Sequence, residues 1–184
     1  MSNESFVNHI QQIQESAQHK LHKGSVTENY DLDVEKVCEL LNGALATETI
    51  CSLRYKQHHF KALELGASNA ASEFLEHANQ ESNHADKIAE RIAQLGGEPQ
   101  YAPDTIQNSA HVRFKACDSL KEMVRENLIA ERIAIDTYRK MIQVFGDKDP
   151  GTKRILEDIL LMEEEHADDL VELANEYDVK LENH

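Results

Sequence analysis

At 184 residues the chain has the length of one domain with a sizeable core. Its net charge of −15, from 34 acidic against 19 basic residues, argues against DNA or membrane binding through a broad basic face. With 7 Gly, 3 Pro and no Trp, helix breakers are scarce and long helices are favoured over sheet. Cys38, Cys51 and Cys117 form no C-x-x-C pair, and no signal-peptide pattern precedes them. No apolar run approaches the roughly 18 residues of a membrane span. Reduced thiols, a cytoplasmic location and no membrane partner are therefore expected.

In chain order, residues 1–30 read as an N-terminal extension, partly helical or flexible. Phe6, Val7, Ile10 and Ile13 recur at helical spacing there, ahead of the basic stretch His19–Gly24. Residues 31–178 read as an all-α four-helix bundle, and 179–184 as a C-terminal tail. The first long helix begins after Asp31 or Asp33 and stops at Gly66, with Val34, Val37, Leu41, Leu45, Glu48, Ser52 and Tyr55 facing inward. The second runs from Ser68 or Ser72 to Gly96-Gly97-Glu98-Pro99. Its stripe is Phe74, His77, Ala78, Glu81, His84, Ile88, Ile92 and Leu95. The third spans about Ala116 to Phe145 with Leu120, Val124, Asn127, Glu131, Ile135, Tyr138 and Ile142 aligned. The fourth follows the Gly146–Gly151 turn, lined by Ile155, Ile159, Glu163, His166, Leu170 and Leu173.

Short loops make the first pair and the last pair antiparallel. The connection from about Gln100 to Lys115 can stretch roughly 50 Å at ~3.3 Å per residue. The second helix is only about 40 Å long, so the connection can cross the bundle and leave helices two and three parallel. Within it, residues 104–111 suit a short extra helix.

The polar residues on these apolar stripes are the strongest signal. Glu81-Ser-Asn-His84-Ala85-Asp86 is repeated as Glu163-Glu-Glu-His166-Ala167-Asp168. Each copy follows, by about 33 residues, a Glu with a Tyr seven positions on: Glu48 with Tyr55, Glu131 with Tyr138. On a helix, three- and seven-residue spacings return to one face. Four buried carboxylates cost several kcal/mol each unless cations meet them. A two-metal site follows, with Glu48 and His84 on one ion, Glu131 and His166 on the other, and Glu81 and Glu163 bridging. Carboxylate–imidazole ligation without thiolate suits two iron ions, or manganese. Such a site can take Fe(II) and pass electrons to O2 or H2O2, with Tyr55 and Tyr138 placed to hydrogen-bond a ligand or supply an electron. Asn127 is expected to orient a histidine. His58-His59 and Glu76-His77 read as surface or inter-subunit residues, and Cys51 as a small buried hydrophobe.

From Val34 to Tyr177 the chain resembles the ferritin superfamily, in particular bacterioferritins and their smaller miniferritin relatives. Glu48, Glu81, His84, Glu131, Glu163 and His166 match the bacterioferritin ferroxidase ligands, and Glu122–Glu131 is similar to that family's third helix. The resemblance implies a ferritin-like fold, ferroxidase activity on Fe(II), and iron storage in a hollow homo-oligomer. Ser82 stands where the haem-ligating Met of bacterioferritins would follow the helix Glu, so haem is not expected. About 18 residues follow His166, too few for the fifth helix of 24-subunit cages, so a dodecamer is expected. The N-terminal extension resembles DNA-protecting miniferritins, but the net charge speaks against DNA as a partner. Two further readings keep the same residues. One is a dimanganese catalase or non-storing di-iron oxidase. The other is a helical scaffold with a vestigial site.

Overall fold

The computed structural model describes residues 3–181, so residues 182–184 of the expected tail lie outside the described residues. The helices are α1 (Asn3–Ser16), α2 (Val34–Glu64), α3 (Ser68–Gln94), α4 (Pro103–Ser109), α5 (Leu120–Phe145) and α6 (Pro150–Glu176), with a 3-10 turn at Leu21–Lys23. Among the described residues there is no strand. The molecule is an all-α bundle whose four long helices pack as two pairs. α2 packs along α3 and α5 along α6, α4 lies against α2, and lighter contacts join α2 to α5 and α3 to α6.

Local chemistry sets the boundaries. Asp33 caps α2, its Oδ1 accepting from the Glu35 and Lys36 amides at 3.1 and 3.4 Å. Beyond α2 and α3 the chain turns through Gly66 (φ 75°) and Gly96 (φ 85°), a conformation in which a Cβ would be strained. α5 starts at Leu120, four residues later than the expected Ala116. Cys117 has φ 53°, outside the helical region, and Ser119 caps the helix by accepting from the Glu122 amide at 3.3 Å. α6 has Pro150 in its first turn and Asp149 as cap. That carboxylate also accepts from Tyr30 Oη at 2.7 Å and Arg91 Nη2 at 2.8 Å, tying the segment before α2 and the end of α3 to the start of α6.

A small apolar cluster around Ile50, Ile106 and Val112 lies under α4, and two larger ones fill the bundle interior. One contains Leu41, Leu45, Ile88, Ile92, Tyr138, Met141, Phe145, Leu156 and Ile159. The other contains Tyr55, Ala62, Ala70, Phe74, Met123, Val124 and Leu170. Each fully buried Leu, Ile or Phe contributes about 1.5–3 kcal/mol relative to exposure, so the clusters clamp the bundle on both sides of its polar middle. Ser52 sits on the apolar stripe because its hydroxyl donates to the Ala78 carbonyl across the α2–α3 seam at 2.8 Å. α1 forms, but Phe6, Val7, Ile10 and Ile13 are exposed and, among the described residues, it packs along none of the other helices. No helix among the described residues is long and apolar enough to cross a membrane.

Candidate metal centre

Between the two clusters lie Glu48, Glu81, His84, Glu131, Glu163 and His166, each at most 2% exposed. Their donor atoms form two interlocking groups, each within 4.8 Å: Glu48, Glu81, His84 and Glu163, and then Glu81, Glu131, Glu163 and His166. The bundle thus brings all six sequence-predicted residues together. Glu81 and Glu163 belong to both groups. His84 Nδ1 lies 3.4 Å from Glu48 Oε2, 3.3 Å from Glu81 Oε2 and 2.8 Å from Glu163 Oε1. His166 Nδ1 lies 3.6, 4.0 and 3.8 Å from oxygens of Glu81, Glu131 and Glu163.

Most of these contacts are too long or too misaligned for a hydrogen bond, the short one to Glu163 Oε1 included. Glu48 Oε2, Glu81 Oε1, Glu131 Oε2, Glu163 Oε1 and His166 Nδ1 are buried and make no hydrogen bond of acceptable geometry. A buried unsatisfied polar atom costs about 1–3 kcal/mol, and five in one small volume need a common explanation. Divalent cations would supply it, because each orphaned atom is an electron-pair donor of a type that iron or manganese accepts.

The electrostatics agree. Burial, and then the charge of Glu81, raises Glu48, Glu131 and Glu163 above the usual carboxylate range. Glu81 goes the other way: burial opposes ionisation, but the neighbouring Glu48 carboxyl and the His166 and His84 rings hold it well below that range. Burial resists charging the imidazoles, yet the bonds and charges of Glu48 and Glu81 raise His84 to about 9, and those of Glu81 and Glu131 raise His166. Four carboxylates can share this space only if protons or metal ions carry the compensating charge.

The tyrosines bond across the bundle. Tyr55 on α2 donates to Glu131 on α5, and Tyr138 on α5 donates to Glu48 on α2. Each fixes one oxygen of the opposite helix's carboxylate and leaves the second oxygen facing the centre. Burial, and then the adjacent Glu131 or Glu48 charge, pushes both phenols well above their ordinary value. Both are therefore held as neutral donors.

Several surrounding residues escape sequence reasoning. Gln80 Oε1 accepts from His166 Nε2 at 2.8 Å. This fixes the tautomer whose Nδ1 lone pair points at the carboxylates. Arg54 is 2% exposed; its Nε donates to Asn127 Oδ1 at 2.9 Å and its Nη2 to Cys51 Sγ at 3.8 Å. The expectation for Asn127 needs correction: it meets His58, whose Nδ1 lies 3.2 Å from Asn127 Oδ1, rather than a metal-facing imidazole. His58 and His77 are corrections too. They are 0% and 1% exposed, not surface residues, because each turns inward from the flank of its helix. Both ring nitrogens of His58 face oxygens, so the neutral ring donates through Nε2 to the nearer one, the Lys115 carbonyl at 2.9 Å. Burial, helped by the Arg54 charge, holds its pKa down to about 4. Cys51 is buried as expected, and burial pushes its thiol up.

The sequence from residue 38 to 178 matches the ferritin-like domain family. The bacterioferritin of Rhodobacter capsulatus is 30% identical over 144 residues, covering 78% of this chain and 85% of that protein. A DNA protection during starvation protein of Pyrococcus furiosus is 31% identical over 156 residues, covering 79% and 80%. Among solved structures, a dodecameric thioferritin, the bacterioferritin-related protein of Bacteroides fragilis, superposes with a TM-score of 0.71. It shares 30% identity, over 82% of this chain and 94% of that one.

Proposed function

The chain belongs to the ferritin-like family, and on that premise we propose that it oxidises Fe(II) at the buried centre and stores the ferric product inside a hollow homo-oligomer. The carrying observation is the pair of interlocking donor groups that share Glu81 and Glu163, with five donor atoms unpaired inside the protein. Glu48 and His84 would hold one iron, Glu131 and His166 the other, and Glu81 and Glu163 would span both. Iron bound there supplies the redox step: two Fe(II) lose one electron each, and O2 or H2O2 accepts them. With H2O2, two protons are consumed and two waters form, so no hydroxyl radical is released.

The protein's own contribution is positional. Tyr55 and Tyr138 keep one oxygen of Glu131 and Glu48 engaged, so that each carboxylate presents the other. Gln80 holds His166 in the tautomer that can bind metal. The two apolar clusters restrict water around the centre, which strengthens every charge interaction inside it. Manganese would satisfy the same donors. Ser82, directly after Glu81, offers no thioether to a haem. The net charge of −15 favours attraction of Fe(II) and disfavours a DNA partner.

The dodecameric assembly of the Bacteroides protein supports the same architecture here. Native mass spectrometry is expected to give a particle of about 250 kDa, twelve chains of 20.9 kDa. That particle should take up far more than two irons per chain when fed Fe(II) with H2O2 or O2. A small oligomer that turns over peroxide without retaining iron would favour a catalase or oxidase instead.

A further inference from the structure

A third cluster of metal-binding side chains lies beside the buried centre. His77 Nε2 is 3.2 Å from Glu73 Oε1 and 3.4 Å from Asp169 Oδ2, and the three donor atoms all lie within 4.8 Å of one another. Both contacts are longer than the ~2.7–2.9 Å of a charge-assisted hydrogen bond. They match the separation of neighbouring donors around a divalent ion held at about 2.1 Å, roughly 3.0–3.4 Å from octahedral to tetrahedral geometry. They also match the 3.3 and 3.4 Å edges from His84 to Glu81 and Glu48 in the main centre.

The imidazole itself is the second observation. His77 is 1% exposed and its Nδ1 has no hydrogen-bond partner. At the other nitrogen, Nε2, the contact with hydrogen-bond geometry is the long 3.4 Å approach to Asp169 Oδ2, and the oxygens it meets are those of the two carboxylates. A buried polar ring in that position calls for a ligand.

Helix register places the cluster. On α3, Glu73, His77 and Glu81 succeed one another at i, i+4 intervals; on α6, Glu163, His166 and Asp169 do so at i, i+3. α3 and α6 run antiparallel, so one turn back on α3 meets one turn on along α6. The main centre's ligand stripe is thereby extended one turn toward solvent. His77 stacks on His166 at a centroid distance of 4.1 Å and an interplanar angle of 22°, which makes the two sites adjacent. Glu73 and Asp169 are 33% and 35% exposed, open enough for ions to exchange.

We propose that Glu73, His77 and Asp169 form a separate, solvent-facing site for a divalent transition-metal cation, abutting the buried centre through the His77–His166 stack. One imidazole with two carboxylates suits Fe(II), Mn(II), Co(II) or Zn(II) better than a hard ion such as Mg(II). Three protein ligands leave positions for water, so this site fills after the buried one and releases its ion more readily.

The test uses Co(II). In crystals of the wild-type protein soaked in Co(II) and measured at the cobalt absorption edge, an anomalous peak is expected among Glu73, His77 and Asp169, besides those in the buried centre. In equilibrium dialysis, the wild type should bind one more ion per chain than Glu73→Gln/Asp169→Asn, which keeps the shapes and removes two charges. Peaks in the buried centre alone, or equal stoichiometry for the two proteins, overturn the proposal and leave the di-metal reading standing. Peaks at neither place overturn both.

Discussion

The α2–α3 half and the α5–α6 half carry the same centre-facing residue types at nearly the same intervals, set in different surroundings. Glu48, Tyr55, Glu81 and His84 correspond to Glu131, Tyr138, Glu163 and His166. Around them the correspondence fails. Arg54 is matched by Thr137, Cys51 by Ala134 and His58 by Met141; Asn127 is matched by Ala44, Gln80 by Met162 and His77 by Ile159. The end of the site near Glu131 and His166 is consequently wired with polar contacts. The end near Glu48 and His84 is backed by Leu41, Leu45, Ile88 and Ile159. Ligation demands symmetry because two like ions need like donors. Nothing demands that both ions communicate with the rest of the protein in the same way.

That contrast can be broken at its shared elements first. Glu81→Ala and Glu163→Ala each remove a carboxylate common to both donor groups. Each is expected to lower the Fe(II) oxidation rate at least about a hundredfold, beyond the 10–100-fold typical of removing a supporting partner. Stopped-flow absorbance of the ferric product checks this, and a variant that oxidises as fast as wild type would sink the site assignment.

The asymmetric residues come next. Arg54→Met strips Asn127 and Cys51 of their buried partner and is expected to cost about 3 kcal/mol of stability. Thr137→Met, at the matching place in the other half, should stay within about 0.5 kcal/mol. Urea unfolding of the metal-free proteins compares them. Equal losses would mean that the wiring around Arg54 contributes nothing beyond packing.

His58 should make one half of the molecule sensitive to acid. Its folded pKa of about 4 lies below the ordinary histidine value of 6.5, so the unfolded chain binds the proton more readily. Its stabilising share is complete above about pH 6.5 and is lost as pH falls toward 4. The slope of stability against pH should therefore be flatter in His58→Gln than in wild type, with a total difference of about 3 kcal/mol across that window. Parallel curves would refute it.

The smallest effect sharpens the comparison between the two metal positions. Gln80→Leu frees the His166 ring and should weaken one of the two buried ions about tenfold while sparing the other. Met162→Leu, its counterpart, should change neither. Stepwise Co(II) titration followed by visible absorption separates the two positions, and uniform weakening of both would remove the claim that they differ.

Much of this was legible along the chain because helix periodicity converts spacing into direction. The doubled Glu-x-x-His-Ala-Asp and the two Glu–Tyr pairs identified all six residues that the structure gathers. Capping residues and glycines placed three of the four long helices to within about two residues. Cys117 defeated the fourth boundary, since nothing in its chemistry announces a left-handed backbone. The tyrosines were assigned to the right face, yet their partners lie on the opposite helix. Gln80 and Arg54 gave no signal, as each sits beside its helix's apolar stripe and reaches its partner only when another helix is present.

The sequence by itself determined which residues turn inward, since a 3.6-residue period and the cost of burying unpaired carboxylates leave few alternatives. From those two facts come the four-helix bundle and the inward cluster of carboxylates and imidazoles. Only the tertiary structure decided what each inward residue meets: which carboxylate each tyrosine holds, which histidine Gln80 orients, and that His77 lies between two acids and the metal centre. Those contacts depend on how antiparallel helices are set in register against one another, and that register is fixed by packing summed over the whole bundle rather than by any local run of residues.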